Sequence, residues 1–72
     1  MRNVMTRYYV NQNAQANGEH EVHSENCPYL SQIHKKGYLG CFEYCGDAVI
    51  EAKKYYPKAN GCVHCSSLCH TS

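Results

Sequence analysis

The sequence predicts a small α+β domain held together by a metal, with about three antiparallel strands, one main helix and short helical segments. Three observations carry this reading. The chain has 72 residues, enough for one small domain. Its apolar stock is thin, with one Phe and no Trp, so a core of this size yields only about 3–5 kcal/mol and a staple is expected. Finally, His23-x3-Cys27 and Cys62-x2-Cys65 form two close pairs. Each spacing lets two soft ligands reach one ion.

The elements are taken in chain order. Arg7-Tyr8-Tyr9-Val10-Asn11 combines aromatic and β-branched side chains and predicts the first strand. Residues 11–18 are polar and end in Asn17-Gly18, a pair that tolerates positive φ and marks a turn. Residues 19–23 alternate, with His20 and Val22 on one face and Glu19, Glu21 and His23 on the other. They predict a second strand, joined to the first as a hairpin through a long polar loop. Cys27-Pro28-Tyr29-Leu30 reads as a turn into a short helical segment with Pro at its first position. Lys35-Lys36-Gly37 reads as a turn, and Tyr38 to Phe42 as the third strand.

The main helix is expected to start at Gly46-Asp47, with Asp47 as N-cap, and to reach about Tyr56 before Pro57 stops it. Lys53 and Lys54 suit its C-terminal dipole. Cys45, Ala48, Val49, Ala52 and Tyr56 recur at helical spacing and form its buried stripe. The seven Tyr are expected to do much of the packing. Asn60-Gly61 then turns the chain into the second metal pair. Residues 1–72 form a single domain, with 66–72 as a short flexible tail.

Charge narrows the function classes. The net charge is +1, far from the strongly basic character of a typical nucleic-acid domain. Lys35, Lys36, Lys53, Lys54 and Lys58 read as a solvated surface. The segment from Met1 to Val10 has no continuous apolar run, so it predicts neither a signal peptide nor a membrane span. A cytoplasmic, monomeric protein with reduced cysteines is therefore expected, which favours metal over disulfides.

The expected ligands are His23, Cys27, Cys62 and Cys65 around one Zn2+ ion, a closed structural site. Cys69 and His70 are alternates for the fourth place, ranked lower because a terminal tail frays. His20 and His64 are weaker candidates and read as surface histidines. Cys41, Cys45 and Cys69 remain outside the set. Cys45 suits the helix stripe as a small buried hydrophobe, and Cys45 and Cys69 can pair under oxidation. A pure disulfide framework is the competing reading, since six cysteines allow fifteen pairings.

The order His23-x3-Cys27-x2-Leu30, Leu39-x2-Phe42, Asp47-Ala48 and Gly61-Cys62-x2-Cys65 resembles the zinc-binding module of the Ada methylphosphotriester repair family. The resemblance covers about residues 20–66. The chain is also similar to short cysteine-rich bacterial proteins ending in Cys-x2-Cys-Ser-x2-Cys-His. The Ada resemblance implies a small sheet flanked by helices, with four cysteine ligands. It also implies a zinc thiolate that accepts a methyl group from DNA, at the first ligand of the first pair. Here that position is His23, whose imidazole has no thiolate to alkylate. Cys27, Cys62 and Cys65 match the family as ligands only.

The leading expectation is a non-catalytic zinc module that binds a protein or nucleic acid. The alternatives are a zinc-thiolate alkyl acceptor, a metal or redox buffer, and a disulfide-stabilised small protein. No Ser-His-Asp order and no phosphate-cradling Gly loop is visible.

Overall fold

Among the described residues, four strands and one helix build the fold. The computed structural model describes residues 5–71; residues 1–4 and 72 lie outside it, with the start of the segment read as carrying no leader. The strands are β1 (Thr6–Asn11), β2 (His20–Ser24), β3 (Lys36–Phe42) and β4 (Ala59–Gly61), and the helix α1 spans Cys45–Lys53. Two short 3-10 turns, Leu30–Gln32 and Ser67–Cys69, complete the α+β fold.

The expected hairpin is present. β1 pairs antiparallel with β2, placing Tyr9 opposite His23 and Val10 opposite Val22. Gly18, at the tip, has φ +87°, the conformation its Asn-Gly signal asks for. β3 pairs antiparallel on the other side of β1, with a bulge after Tyr8. Gly40 supplies the bulge with φ +120°, which a side chain rarely adopts. β3 starts at Lys36, so the expected turn falls one step earlier, at His34 and Lys35.

A fourth strand adds to the expected three. β4 lies beside β2 and runs parallel to it, pairing His20 with Ala59 and Val22 with Gly61. The sheet order is β3-β1-β2-β4. β4 is short, and Ala-Asn-Gly has little intrinsic strand preference. Parallel partners need a long connection, and here β3 and α1 supply it.

The helix begins two residues before the expected start. Tyr44 is its N-cap and makes no side-chain cap bond, while Asp47 sits in the first turn, where a carboxylate favours the dipole. The last helical residue is Lys53, and the amides of Tyr55 and Tyr56 both close on the Ala52 carbonyl at 3.0 and 2.8 Å. Pro57 disfavours helical geometry at Tyr56, which explains the early stop. Pro28 likewise precedes its short helical turn rather than opening it.

The helix lays Ala48, Val49 and Ala52 on the sheet, where they meet Tyr8, Val10, Val22 and Ala59. Small alanines let the backbone approach closely, so few large side chains suffice. The tyrosines contribute less than expected. Tyr8 is buried and Tyr56 packs against the core, but Tyr29, Tyr38, Tyr44 and Tyr55 are exposed. Tyr9 instead pairs with Tyr38 on the strands, ring centroids 5.3 Å apart. Among the described residues no helix is long and apolar enough to cross a membrane.

The stripe of α1 makes a direct prediction. Val49→Asp places an unpaired carboxylate among Val10, Val22 and Ala52 and should destabilise the fold by about 3 kcal/mol or more. Thermal unfolding checks it; an unchanged Tm would mean that this face is not the core.

Candidate metal centre

The parallel pairing of β2 and β4 creates the site. Parallel strands end at the same side of the sheet, so the chain leaving β2 lies beside the chain leaving β4. His23 is in β2, and Cys27 comes one turn later, its N–H donating to the Ser24 carbonyl at 3.0 Å. Cys62 directly succeeds β4 and extends the ladder, its N–H donating to the Val22 carbonyl at 2.9 Å. The chain then turns tightly, with the Ser66 N–H on the Cys62 carbonyl at 2.8 Å. This brings Cys65 back to the end of β2, where its sulfur accepts the Ser24 N–H at 3.4 Å.

All four expected ligands meet. One donor atom from each of His23, Cys27, Cys62 and Cys65 lies within 4.8 Å of all the others. His23 Nδ1 is 3.5 Å from the Cys27 sulfur and 3.9 Å from that of Cys65. A tetrahedral shell with metal–sulfur bonds of about 2.3 Å and a metal–nitrogen bond of about 2.0 Å has edges of about 3.5–3.8 Å. The two His23–sulfur distances match such edges, and the whole set is close enough to hold one metal ion. His23, Cys27 and Cys62 are buried and Cys65 is half-buried.

Supporting groups surround the donors. The other ring nitrogen of His23, Nε2, faces the Glu21 carboxylate at 3.4 Å, an outer partner that orients an imidazole ligand and raises its basicity. The Cys62 sulfur accepts the His64 N–H at 3.4 Å. The Ser66 hydroxyl lies 3.6 Å from the Cys65 sulfur. Backbone amides aimed at sulfur stabilise the thiolate form.

The free thiols differ in their electrostatics. Burial pushes the Cys27 thiol up to about 12, against a smaller opposing pull from the Tyr29 amide. Burial also raises Cys62, although the amides of Cys65 and His64 work against it. Cys65 goes the other way. Burial alone would raise it, but the Ser24 amide, the Ser66 hydroxyl and the neighbouring thiols together bring it below the ordinary thiol value. Burial lowers His23, outweighing the pull of Glu21 in the opposite direction, so its ring is the neutral species a metal needs.

The alternates stand elsewhere. Cys69 is joined to Cys45 in a disulfide, which removes it from the ligand set. It corrects the expectation of wholly reduced cysteines and is the Cys45–Cys69 pairing that the sequence left open under oxidation. His70 Nδ1 lies 2.9 Å from the Gly61 carbonyl. His20 stacks on Tyr56 at 4.1 Å, and His64 packs against Tyr29 at 4.7 Å. Cys41 is a free, exposed thiol 3.4 Å from the Tyr38 hydroxyl. Sequence reasoning missed Glu21, Ser24 and Ser66 as supports. The alternation in β2 did carry the Glu21 signal, since it put Glu21 and His23 on one face.

No protein-family model, curated protein or solved structure matches this chain.

Metal binding here must displace protons. Cys27 and Cys62 hold theirs at neutral pH, while His23 is already neutral. Raising the pH removes the competing protons, so affinity should rise with pH and fall on acidification. About two to three protons should leave per ion at pH 7. Calorimetric titration in buffers of different ionisation enthalpy counts them; a proton count near zero would mean the thiols are not the ligands.

Proposed function

We propose that this chain is a zinc-stabilised interaction module that docks on a partner macromolecule without catalysing a reaction. The closed ligand set carries the proposal: three thiols and one imidazole converge on a single point, with three of the four residues buried. Soft thiolates with an imidazole in tetrahedral array suit zinc. A fourth protein ligand takes the position that catalytic zinc keeps for water. Binding energy at such a site is largely folding energy, and the thin core has need of it.

The order of elements supports the Ada-like resemblance. A strand leads into the first pair, a strand and a helix intervene, and a knuckle closes the set. The chemistry of that family is not part of the proposal. His23 stands where the methyl acceptor is expected, and Cys27 and Cys62 are 5 % and 1 % exposed. Cys65 is the most accessible ligand, yet the Ser24 N–H and the Ser66 hydroxyl lie against its sulfur and temper its nucleophilicity. A protein partner is favoured over nucleic acid. Tyr29 and Val63 offer apolar surface beside the centre at 42 % and 48 % exposure, whereas Glu21 next to His23 repels phosphate.

Elemental analysis with X-ray absorption should find one zinc per chain, bound by three sulfurs and one nitrogen; protein that takes up no metal with its thiols reduced would overturn the reading. Cys62→Ser should abolish stoichiometric zinc binding and leave the chain largely unfolded by circular dichroism. Incubation with methylphosphotriester DNA should leave the protein mass unchanged. A gain of one methyl group, mapped to Cys65, would make the alkyl-acceptor reading the better one.

A further inference from the structure

The disulfide and the metal centre share one short piece of chain. We propose that the Cys45–Cys69 disulfide is a redox-controlled brace on the metal centre, holding the Cys62–Cys65 knuckle in its binding geometry when oxidised and loosening it when reduced. The proposal rests on the zinc reading above and adds regulation to it.

Cys69 lies four residues beyond the ligand Cys65, and its backbone packs on the stem of the knuckle. A Cβ at Gly61 would come within 2.9 Å of the Cys69 carbonyl carbon, carbonyl oxygen and Cβ. Only glycine allows that approach, at the residue just before the ligand Cys62. His70 Nδ1 then meets the Gly61 carbonyl at 2.9 Å. The Thr71 N–H donates to Asn60 Oδ1 at 2.9 Å, and Asn60 Nδ2 donates back to the Thr71 carbonyl. The segment after the knuckle thus holds Asn60 and Gly61 in place.

The disulfide adds a covalent hold on that segment to these hydrogen bonds. Leu68 is its one large aliphatic side chain and is 97 % exposed, so apolar docking of the segment rests on Cys69 itself, which packs against the core. The 3-10 turn Ser67–Cys69 has no side-chain cap. Its covalent link runs to Cys45, the first residue of α1, which the core fixes. The segment expected from sequence as a flexible tail is tied to the domain at this point.

The exchange is simple thiol chemistry. Both cysteines are half-buried, and the reductant considered is a small dithiol. Its thiolate attacks Cys69 Sγ and the S–S bond breaks. Cys45 leaves as a thiolate, favoured at the start of a helix. The second thiol of the reductant then releases Cys69 and closes its own disulfide. Two electrons and two protons pass from the dithiol to the two cysteines. The ring opened has a sequence separation of 24. Loop-closure entropy for that size sets a ceiling of about 300-fold on the change in apparent metal affinity, where metal binding and folding are coupled.

Competition with a chromogenic zinc chelator tests the brace. Apparent zinc affinity is measured for the oxidised protein and for protein reduced by a water-soluble phosphine. The phosphine becomes its oxide, with water supplying the oxygen and both protons. Reduction should weaken zinc binding by about 10- to 300-fold, and the Cys45→Ser/Cys69→Ser double variant should match the reduced protein. Should that variant not fold, the wild-type protein still decides: the zinc-loaded form should lose its disulfide to phosphine at least about fivefold more slowly than the zinc-free form, read by alkylation and mass. Equal zinc affinity in both redox states would leave the zinc reading standing and overturn the brace. No zinc binding in either state would overturn both.

Discussion

The parallel contact between β2 and β4 is the constraint on which the rest depends. The two ligand pairs are far apart in sequence, and nothing local brings them together. Three register pairs, from His20–Ala59 to Val22–Gly61, place the ends of both strands side by side. Parallel pairing of this length is weak by itself. It persists because α1 packs over it through Ala59 and Val22 and because the chain continues the ladder into Cys62. A bound ion would close the same contact from its end. Fold and site are therefore one problem: the strand pair brings the four side chains together, and an ion bound there would secure the strand pair in return.

The composition explains why so much rests on cross-links. The core is built from three valines, three alanines and Tyr8. Alanine buries little area, so its value lies in close approach rather than in hydrophobic gain. Polar groups compensate by pairing fully. Among the described residues no buried side-chain nitrogen or oxygen lacks a partner. That order specifies one structure but adds modest stability.

The sequence disclosed the fold class and the meeting of four ligand-type side chains, but not every element of the architecture. His23, Cys27, Cys62 and Cys65 were legible because soft ligands at short spacing have few other uses. The β1–β2 hairpin and the face of α1 were legible from periodicity and from Asn17-Gly18. β4 was not, because Ala59-Asn60-Gly61 carries no strand propensity and takes its conformation from β2. The helix start was misplaced for a similar reason. Asp47 looks like a cap in isolation, yet the disulfide partner Cys45 opens the helix without any side-chain cap. The tyrosines misled because their area suggested a core that alanine and valine fill instead. Glu21 was visible as an alternating residue, but its role depends on which nitrogen of His23 faces inward, which only the fold reveals.

Asn60 has one more consequence. Its carboxamide gives Thr71 a donor and an acceptor, as a neighbouring strand would. The carboxamide Oδ1 also accepts the Gly61 N–H, and the Ala59 N–H donates to the Tyr56 carbonyl, so these two β4 amides are already used. The opposite border, β3, is guarded differently, by a lysine at its start and a glycine bulge along its length. The two borders of one small sheet thus differ in how open their backbone is to a further strand.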